Sequence, residues 1–221
     1  MKRRAPRRQS PDRENRRQEI ISAAVRLFAE RGMENVTYGD IAKAAKLSRP
    51  LIYFYFPDLE TLFLEAIVLG GAELHRRFQA AVRPTEQGLD QIMSIGRAYV
   101  GFARDEPAAF QLVAHNESKQ SLDQEDHPLT QECQRYYDGI MGLLVTALQK
   151  GVRDGSIRPD LGDPGKVAIC LWGLTHGLIQ VSATKQSSIE CKLGVPFPDL
   201  PDFGLDLIRR SLQAAKRRRR T

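Results

Sequence analysis

TYGDIAKAAKLSRPLIYFYF, residues 37–56, decides the fold. Apolar residues recur at helical spacing on both sides of Lys46-Leu47. Ile41, Ala42 and Ala45 form an inward set before that pair, and Ile52 and Phe56 form one after it, with Leu47 between. Thr37 stands three residues before Asp40, a capping-box start with Asp in the place of Glu. Ser48 is placed to cap the second helix, and Pro50 lies in its first turn, where a missing N–H costs little. Two short helices joined by a tight turn are the layout of a helix-turn-helix. One helix braces against the DNA backbone while the other lies in the major groove.

The outward set on the second helix is Ser48, Arg49, Pro50, Leu51, Tyr53, Phe54 and Tyr55. A purely structural reading puts the aromatics Tyr53 to Phe56 in a helical core. Four successive positions cannot share one face of a helix, however, so some must point outward. Such a face sits poorly in water but suits DNA, where Arg pairs with guanine O6/N7 and apolar groups meet thymine methyls.

Helical periodicity continues in both directions. Ile20, Ala24, Leu27 and Phe28 make one stripe over Arg17–Arg31, and Gly32 follows as a stop. Beyond Pro57 a long helix runs through Leu62, Leu64 and Ile67 towards Ala81. Further helices are expected at Glu86–Ala103, Pro107–Asn116, Leu129–Asp154, Pro164–Thr184 and Asp202–Lys216, separated by Pro, Gly and polar breaks. No alternating strand pattern of useful length occurs. The expected fold is all-α with about nine helices. A basic disordered arm (1–16) precedes a three-helix helix-turn-helix domain (17–58), a larger helical domain (59–215) and a basic tail (216–221).

The net charge of +6 over 221 residues is unevenly spread. Residues 1–17 carry +6 and residues 209–221 carry +7, so the body between them is acidic at −7. The polyanion-facing surface is therefore expected at the ends, with solvated tails as the plainer alternative. The apolar runs read as too short and too broken by charge to span a bilayer. No signal-peptide pattern opens the chain. Three cysteines (Cys133, Cys170, Cys191) without CxxC spacing fit a reducing compartment. No membrane partner and a cytoplasmic location, at the nucleoid when DNA-bound, are the expectations.

Residues 17–67 resemble the DNA-binding domain of the TetR (tetracycline repressor) family. The resemblance rests on Ala24, Leu27 and Phe28, on Gly32, on Thr37 with Asp40-Ile41-Ala42, and on Ser48-Arg49, Ile52-Tyr53 and Tyr55-Phe56-Pro57. It implies a dimeric repressor of a palindromic double-stranded operator, released by a small-molecule inducer. By the same resemblance Arg49, Pro50, Leu51 and Phe54 face bases, while Tyr53, Tyr55, Thr37 and Tyr38 contact phosphates or flanking positions. Three residues depart from the family pattern. Lys46 replaces a turn glycine, Leu59 a phosphate-binding lysine, and Gly39 leaves a position bare. Those departures shift phosphate binding towards Arg7, Arg8, Arg13, Arg16 and Arg17, which are expected to reach the adjacent minor groove.

In the larger domain the resemblance implies a ligand pocket, for which Tyr99, Phe102, Phe110, Tyr137, Met141, Trp172 and His176 are the candidates. Ordinary core packing is the alternative for each. Val167, Leu171, Leu174 and Leu178, with Leu205, Ile208 and Leu212, form apolar stripes on the last two helices. The resemblance implies that they make a four-helix dimer interface, with Ala168, Gly173 and Gly177 permitting close approach. Cys170 and His176 are six apart, against the three or four that set two metal ligands side by side, and no metal or cofactor is expected. No HExxH, GxSxG, GxGxxG or phosphate-loop pattern occurs, so an enzyme is not expected. An architectural DNA-binding protein without a ligand, and an activator of the same fold, stay open.

Overall fold

The computed structural model describes the backbone of residues 11–119, 127–194 and 199–214. Among them the chain forms nine α-helices. These are α1 (Pro11–Arg31), α2 (Tyr38–Ala45), α3 (Arg49–Tyr55), α4 (Leu59–Ala81), α5 (Gly88–Asp105), α6 (Pro107–Lys119), α7 (Pro128–Asp154), α8 (Pro164–Leu193) and α9 (Leu200–Leu212). The one β-type pairing among the described residues is an isolated antiparallel bridge between Ile157 and Gln213. The all-α expectation is met. Arg7, Arg8, the tail 216–221 and the side chains of His115 and Cys191 lie outside the described residues.

Two compact units divide the chain: Met1–Gly70 with Ala108–Cys133, and Gly71–Pro107 with Gln134–Thr221. A boundary at residue 58 is therefore not where packing puts it. Leu62, Leu64, Ala66 and Ile67 on α4 and Leu112 on α6 share one core with Ile20, Ala24, Phe28, Ile41 and Ile52. Half-buried Leu129 and Cys133 on α7 close that core, and burial pushes the Cys133 thiol up to about 11.

In the first unit, α1 starts six residues earlier than its apolar stripe. Pro11 fits a first helical turn, and Asp12 and Glu14 complement the positive end of the helix dipole. Side-chain pairs Gln18–Glu14 (3.2 Å) and Arg16–Glu19 (2.7 Å) support the added turns. Residues 11–16 are thus helical, which corrects the expectation of a disordered arm up to residue 16. At the start of α4, Asp58 Oδ1 accepts from the Thr61 N–H at 2.6 Å, a cap that Pro57 alone did not suggest.

In the second unit, the start of α5 is capped from a distance. Asp154 Oδ2, at the end of α7, accepts from the Gly88 N–H at 2.8 Å, and Ser156 Oγ accepts from that of Leu89 at 3.1 Å. A side chain at residue 88 would collide with the Gly151 backbone of α7, so only glycine permits this approach. The segment after α7 continues as a strap: Arg158 N–H donates to Leu212 O (2.9 Å) and Ala214 N–H to Ser156 O (3.2 Å). Gln213 is extended to meet it, so α9 ends at Leu212 and not at Lys216. Helix α8 runs on to Leu193, nine residues beyond Thr184. An 18-residue window within its Pro164–Thr184 stretch has a mean hydropathy of 1.4, enough to cross a membrane by length and composition. Length and composition alone do not make it a span, since a core helix passes the same test. Lys166 is the one Lys, Arg, Asp or Glu between Pro164 and Thr184.

Candidate DNA interface and ligand cavity

The reader is built on a locked pair of short helices. Thr37 and Asp40 form the full capping box: Asp40 accepts from the Thr37 N–H (2.9 Å) and Thr37 Oγ1 from the Asp40 N–H (3.3 Å). The hydrogen bonds from Thr37 hold the Asp40 carboxyl below the usual carboxylate range. At the turn, Lys46 takes the left-handed conformation (φ 56, ψ 38), and the Leu47 N–H returns to Ala42 O at 2.9 Å. Ile41, Ile52 and Phe56 are fully buried, each contributing about 1.5–3 kcal/mol by area. Ser48 occupies the cap position of α3 but makes no side-chain cap bond; its carbonyl accepts from Leu51 and Ile52 instead.

The opposite face of α3 is open. Arg49, Pro50, Tyr53 and Phe54 are exposed, Phe54 to 66%, while Leu51 and Tyr55 are half-buried. Tyr38 backs this face. Its hydroxyl donates to Phe56 O at 2.9 Å and its ring lies 4.0 Å from that of Tyr53, at 32°. Burial raises the Tyr38 pKa, so the hydroxyl stays a donor. The guanidinium of Arg49 lies over Gly39, with Cζ 2.9 Å from where a β-carbon would stand.

The second unit contains an apolar cavity of about 30 Å³. Phe78 of α4, Ile92, Ile95 and Tyr99 of α5, and Leu144 of α7 form one side. Leu171, Trp172 and Thr175 of α8 and Leu205 and Ile208 of α9 form the other. Tyr99 stacks on Trp172 (4.6 Å between centroids, 20°), and its hydroxyl hydrogen-bonds His176 Nδ1 at 2.8 Å. Burial lowers the His176 pKa, which keeps the imidazole neutral near pH 7.

Residues 20–66 match the family model described as bacterial regulatory proteins, tetR family, and residues 92–190 match that of the tetracycline repressor-like C-terminal domain. The chain belongs to the TetR family. Among curated relatives it is 28% identical over 142 residues to the nucleoid occlusion factor SlmA of Haemophilus influenzae, covering 63% of each chain. The chain thus spans under two thirds of that relative's length. It is 28% identical over 147 residues to the transcriptional repressor KstR2 of Mycolicibacterium smegmatis, covering 66% of this chain and 70% of that one. In fold it is similar to a regulator from Saccharomonospora viridis solved with choline, at a TM-score of 0.72 and 22% identity over 91% of this chain and all of that one. The N-terminal match is to a model of bacterial regulatory proteins.

The residues singled out from sequence divide on the TetR-type reader. Arg49, Pro50, Tyr53 and Phe54 lie together on its exposed face, whereas Thr37 and Tyr38 are engaged in holding α2 and α3. Arg17 has partners within its own unit. It pairs with Glu65, 48 residues away, and lies 5.1 Å over the Phe56 ring. Arg13 lies 5.5 Å over the Phe54 ring, and Arg16 pairs with Glu19.

Of the pocket candidates, Tyr99 and Trp172 line the cavity and His176 is bonded to Tyr99. Phe102 is buried beneath Arg77, and Phe110 belongs to the first unit, so neither lines it. Tyr137 meets Trp172 edge-on from outside, and Met141 is half-buried away from the lining. The α5 residues Ile92, Met93 and Ile95 were missed, since their helical spacing reads as plain core.

Of the interface candidates, Leu171, Leu205, Ile208 and Leu212 are buried within their own unit and are not available to a partner. Val167 and Leu178 are half-buried, and Leu178 packs over Gly204 of α9. Leu174 is exposed, and beside it the structure adds Ile169, Val181, Phe203 and Leu207.

Proposed function

We propose that the chain is a homodimeric repressor that holds a palindromic operator and releases it when a small molecule occupies the cavity of the second unit. The observation that carries this reading is the apolar face of α8 and α9. Ile169 (60%), Leu174 (58%) and Phe203 (55%) lie in solvent in the single chain, and a β-carbon at Gly173 or Gly177 would meet open space. Monomers rarely keep such a patch uncovered, and a second copy with the same face covers it. A twofold dimer presents two α3 helices to two half-sites about one helical turn apart, roughly 34–36 Å.

Repression follows the relatives named as KstR2 repressors, and ligand control follows the regulator solved with choline. Helix α4 supplies Leu62 and Leu64 to the first unit's core and Phe78 to the second unit's cavity. A ligand that displaces Phe78 acts on the helix that carries the reader. Cytoplasmic, nucleoid-bound operation is part of the same proposal. An architectural role without a ligand, suggested by the likeness to a nucleoid occlusion factor, would leave the cavity without a purpose.

Sedimentation of wild type, Leu174→Asp and Phe203→Asp tests the reading. Wild type should sediment as a dimer, and both variants as folded monomers that lose tight operator binding. A wild-type monomer that binds operator tightly would end it.

A further inference from the structure

The cavity of the second unit has a chemical character that narrows what it can hold, given the ligand-release reading above, on which this rests. None of the twelve residues that line it is charged. Its polar side chains are Thr175, Tyr99 and Trp172, the last through its indole N–H. Thr175 Oγ1 donates to Leu171 O at 2.8 Å, a bond within its own helix. Tyr99 Oη is bonded to His176 Nδ1, and burial keeps that imidazole neutral. Arg97, next to Gly96, is exposed and donates to Ser94 Oγ (3.2 Å), and two other arginines beside the lining are committed to ion pairs. Arg77, next to Phe78, binds Glu73 (2.8 Å) and Asp105 (2.9 Å), and Arg209, next to Ile208, binds Asp90 (2.8 Å).

Trp172 is the outer layer of the wall. It is half-buried, while Tyr99, on which it stacks, is 3% exposed, so the indole is the layer between the Tyr99 ring and solvent. The cavity of about 30 Å³ holds little more than one water. A ligand gains room by lifting the indole and taking its place on the phenol ring.

We infer that the cavity takes an uncharged, largely apolar molecule, which displaces Trp172 from Tyr99 and finds one polar contact at the Tyr99–His176 pair. An anion entering here would lose its hydration with no cation to replace it. A cation entering here would lose its hydration in the same way, with no carboxylate in the lining to replace it.

Trp172 is the chain's single tryptophan, so its emission reports on this site alone. The full-length protein is titrated near pH 7.5 with octan-1-ol, octanoate and octyltrimethylammonium, which share a chain and differ in charge. Octanol should change the emission saturably, with the two ions roughly tenfold or more weaker, as the desolvation of an unpaired charge requires. Filling the cavity by Ile92→Phe, or by Leu144→Phe should the first fail to fold, should remove the octanol response. Either ion binding as well as the alcohol, or an alcohol that gives no saturable change, overturns the assignment. Operator binding followed in parallel separates the two readings. If octanol seats and operator is kept, ligand release falls and the cavity assignment stands. If a compound frees operator without moving Trp172 emission, the cavity assignment falls and ligand release stands.

Discussion

The guanidinium of Arg49 occupies the space that the missing side chain of Gly39 leaves open. A β-carbon at residue 39 would stand 2.9 Å from Cζ and 3.0 Å from Nε. The first turn of α2 therefore forms a seat for the cation at the start of α3. What the sequence shows as a bare position in the reader is where its one arginine rests.

Arg49→Ala should cost about 1–3 kcal/mol of operator binding and relax preference at one position in each half-site. Gly39→Ala should displace the guanidinium and weaken preference at the same position. Because the two residues touch, the double variant should lose less than the sum of the singles. Binding-site selection with all three variants checks this. An unchanged consensus for Arg49→Ala would remove it from base readout.

Lys46 bears the cost of a left-handed turn without being glycine. That conformation costs an L-residue about 1–2 kcal/mol, and glycine loses roughly 0.5–1 kcal/mol more entropy on folding. Lys46→Gly should therefore stabilise the protein by a few tenths to about 1 kcal/mol, and Lys46→Val should destabilise it. Urea unfolding of the full chain measures both. A loss of stability in the glycine variant would mean that the lysine side chain itself supports the turn.

His176 sets a pH limit on the second unit. Burial depresses its pKa below the ordinary 6.5, so on acidification the unfolded chain takes up a proton before the native state does. The stability tied to the neutral ring is complete above 6.5 and is lost as pH falls from there towards the native pKa. Thermal melts between about pH 7.5 and 5.5 should show this decline, and His176→Asn should flatten it. A variant that melts with the wild-type pH profile would assign the decline to other groups.

The reader was legible in the sequence because its determinants are local. Thr37 and Asp40 cap within three residues, and Ile41, Ala42 and Ile52 recur at helical period. The second unit was less legible because each of its apolar helices has two faces with work to do. Leu171 and Leu174 are equally apolar and three residues apart, yet one is buried and the other exposed. Where α9 lies decides which, and no feature of α8 alone records that. Leu205, Ile208 and Leu212 form a clean stripe that suits a partner helix or the chain's own core equally well, and the chain's own core takes it. The pairing of Arg17 was illegible for a similar reason. Its role depends on Glu65, a partner 48 residues away.

Charge at the ends of the chain should set the salt dependence of DNA binding. Residues 18–58 carry no net charge, since Arg26, Arg31, Lys43, Lys46 and Arg49 balance Glu19, Glu30, Glu34, Asp40 and Asp58. Leu59, at the start of α4, adds no cation, and Arg17 is spent on Glu65. Phosphate attraction must then come largely from Lys2, Arg3, Arg4, Arg7 and Arg8. Removing residues 2–10 leaves α1 and its Arg13–Phe54 contact in place, so the reader itself is untouched. Affinity should fall for every DNA sequence alike. The slope of log K against log salt should flatten by roughly 0.9 for each phosphate that the shortened chain no longer neutralises. Base preference should survive, because it resides on α3. Deleting Lys216–Arg220 is the control, matched in charge at the other end of the chain. If that deletion flattens the salt slope and the N-terminal one leaves it unchanged, phosphate binding belongs to the C-terminal run.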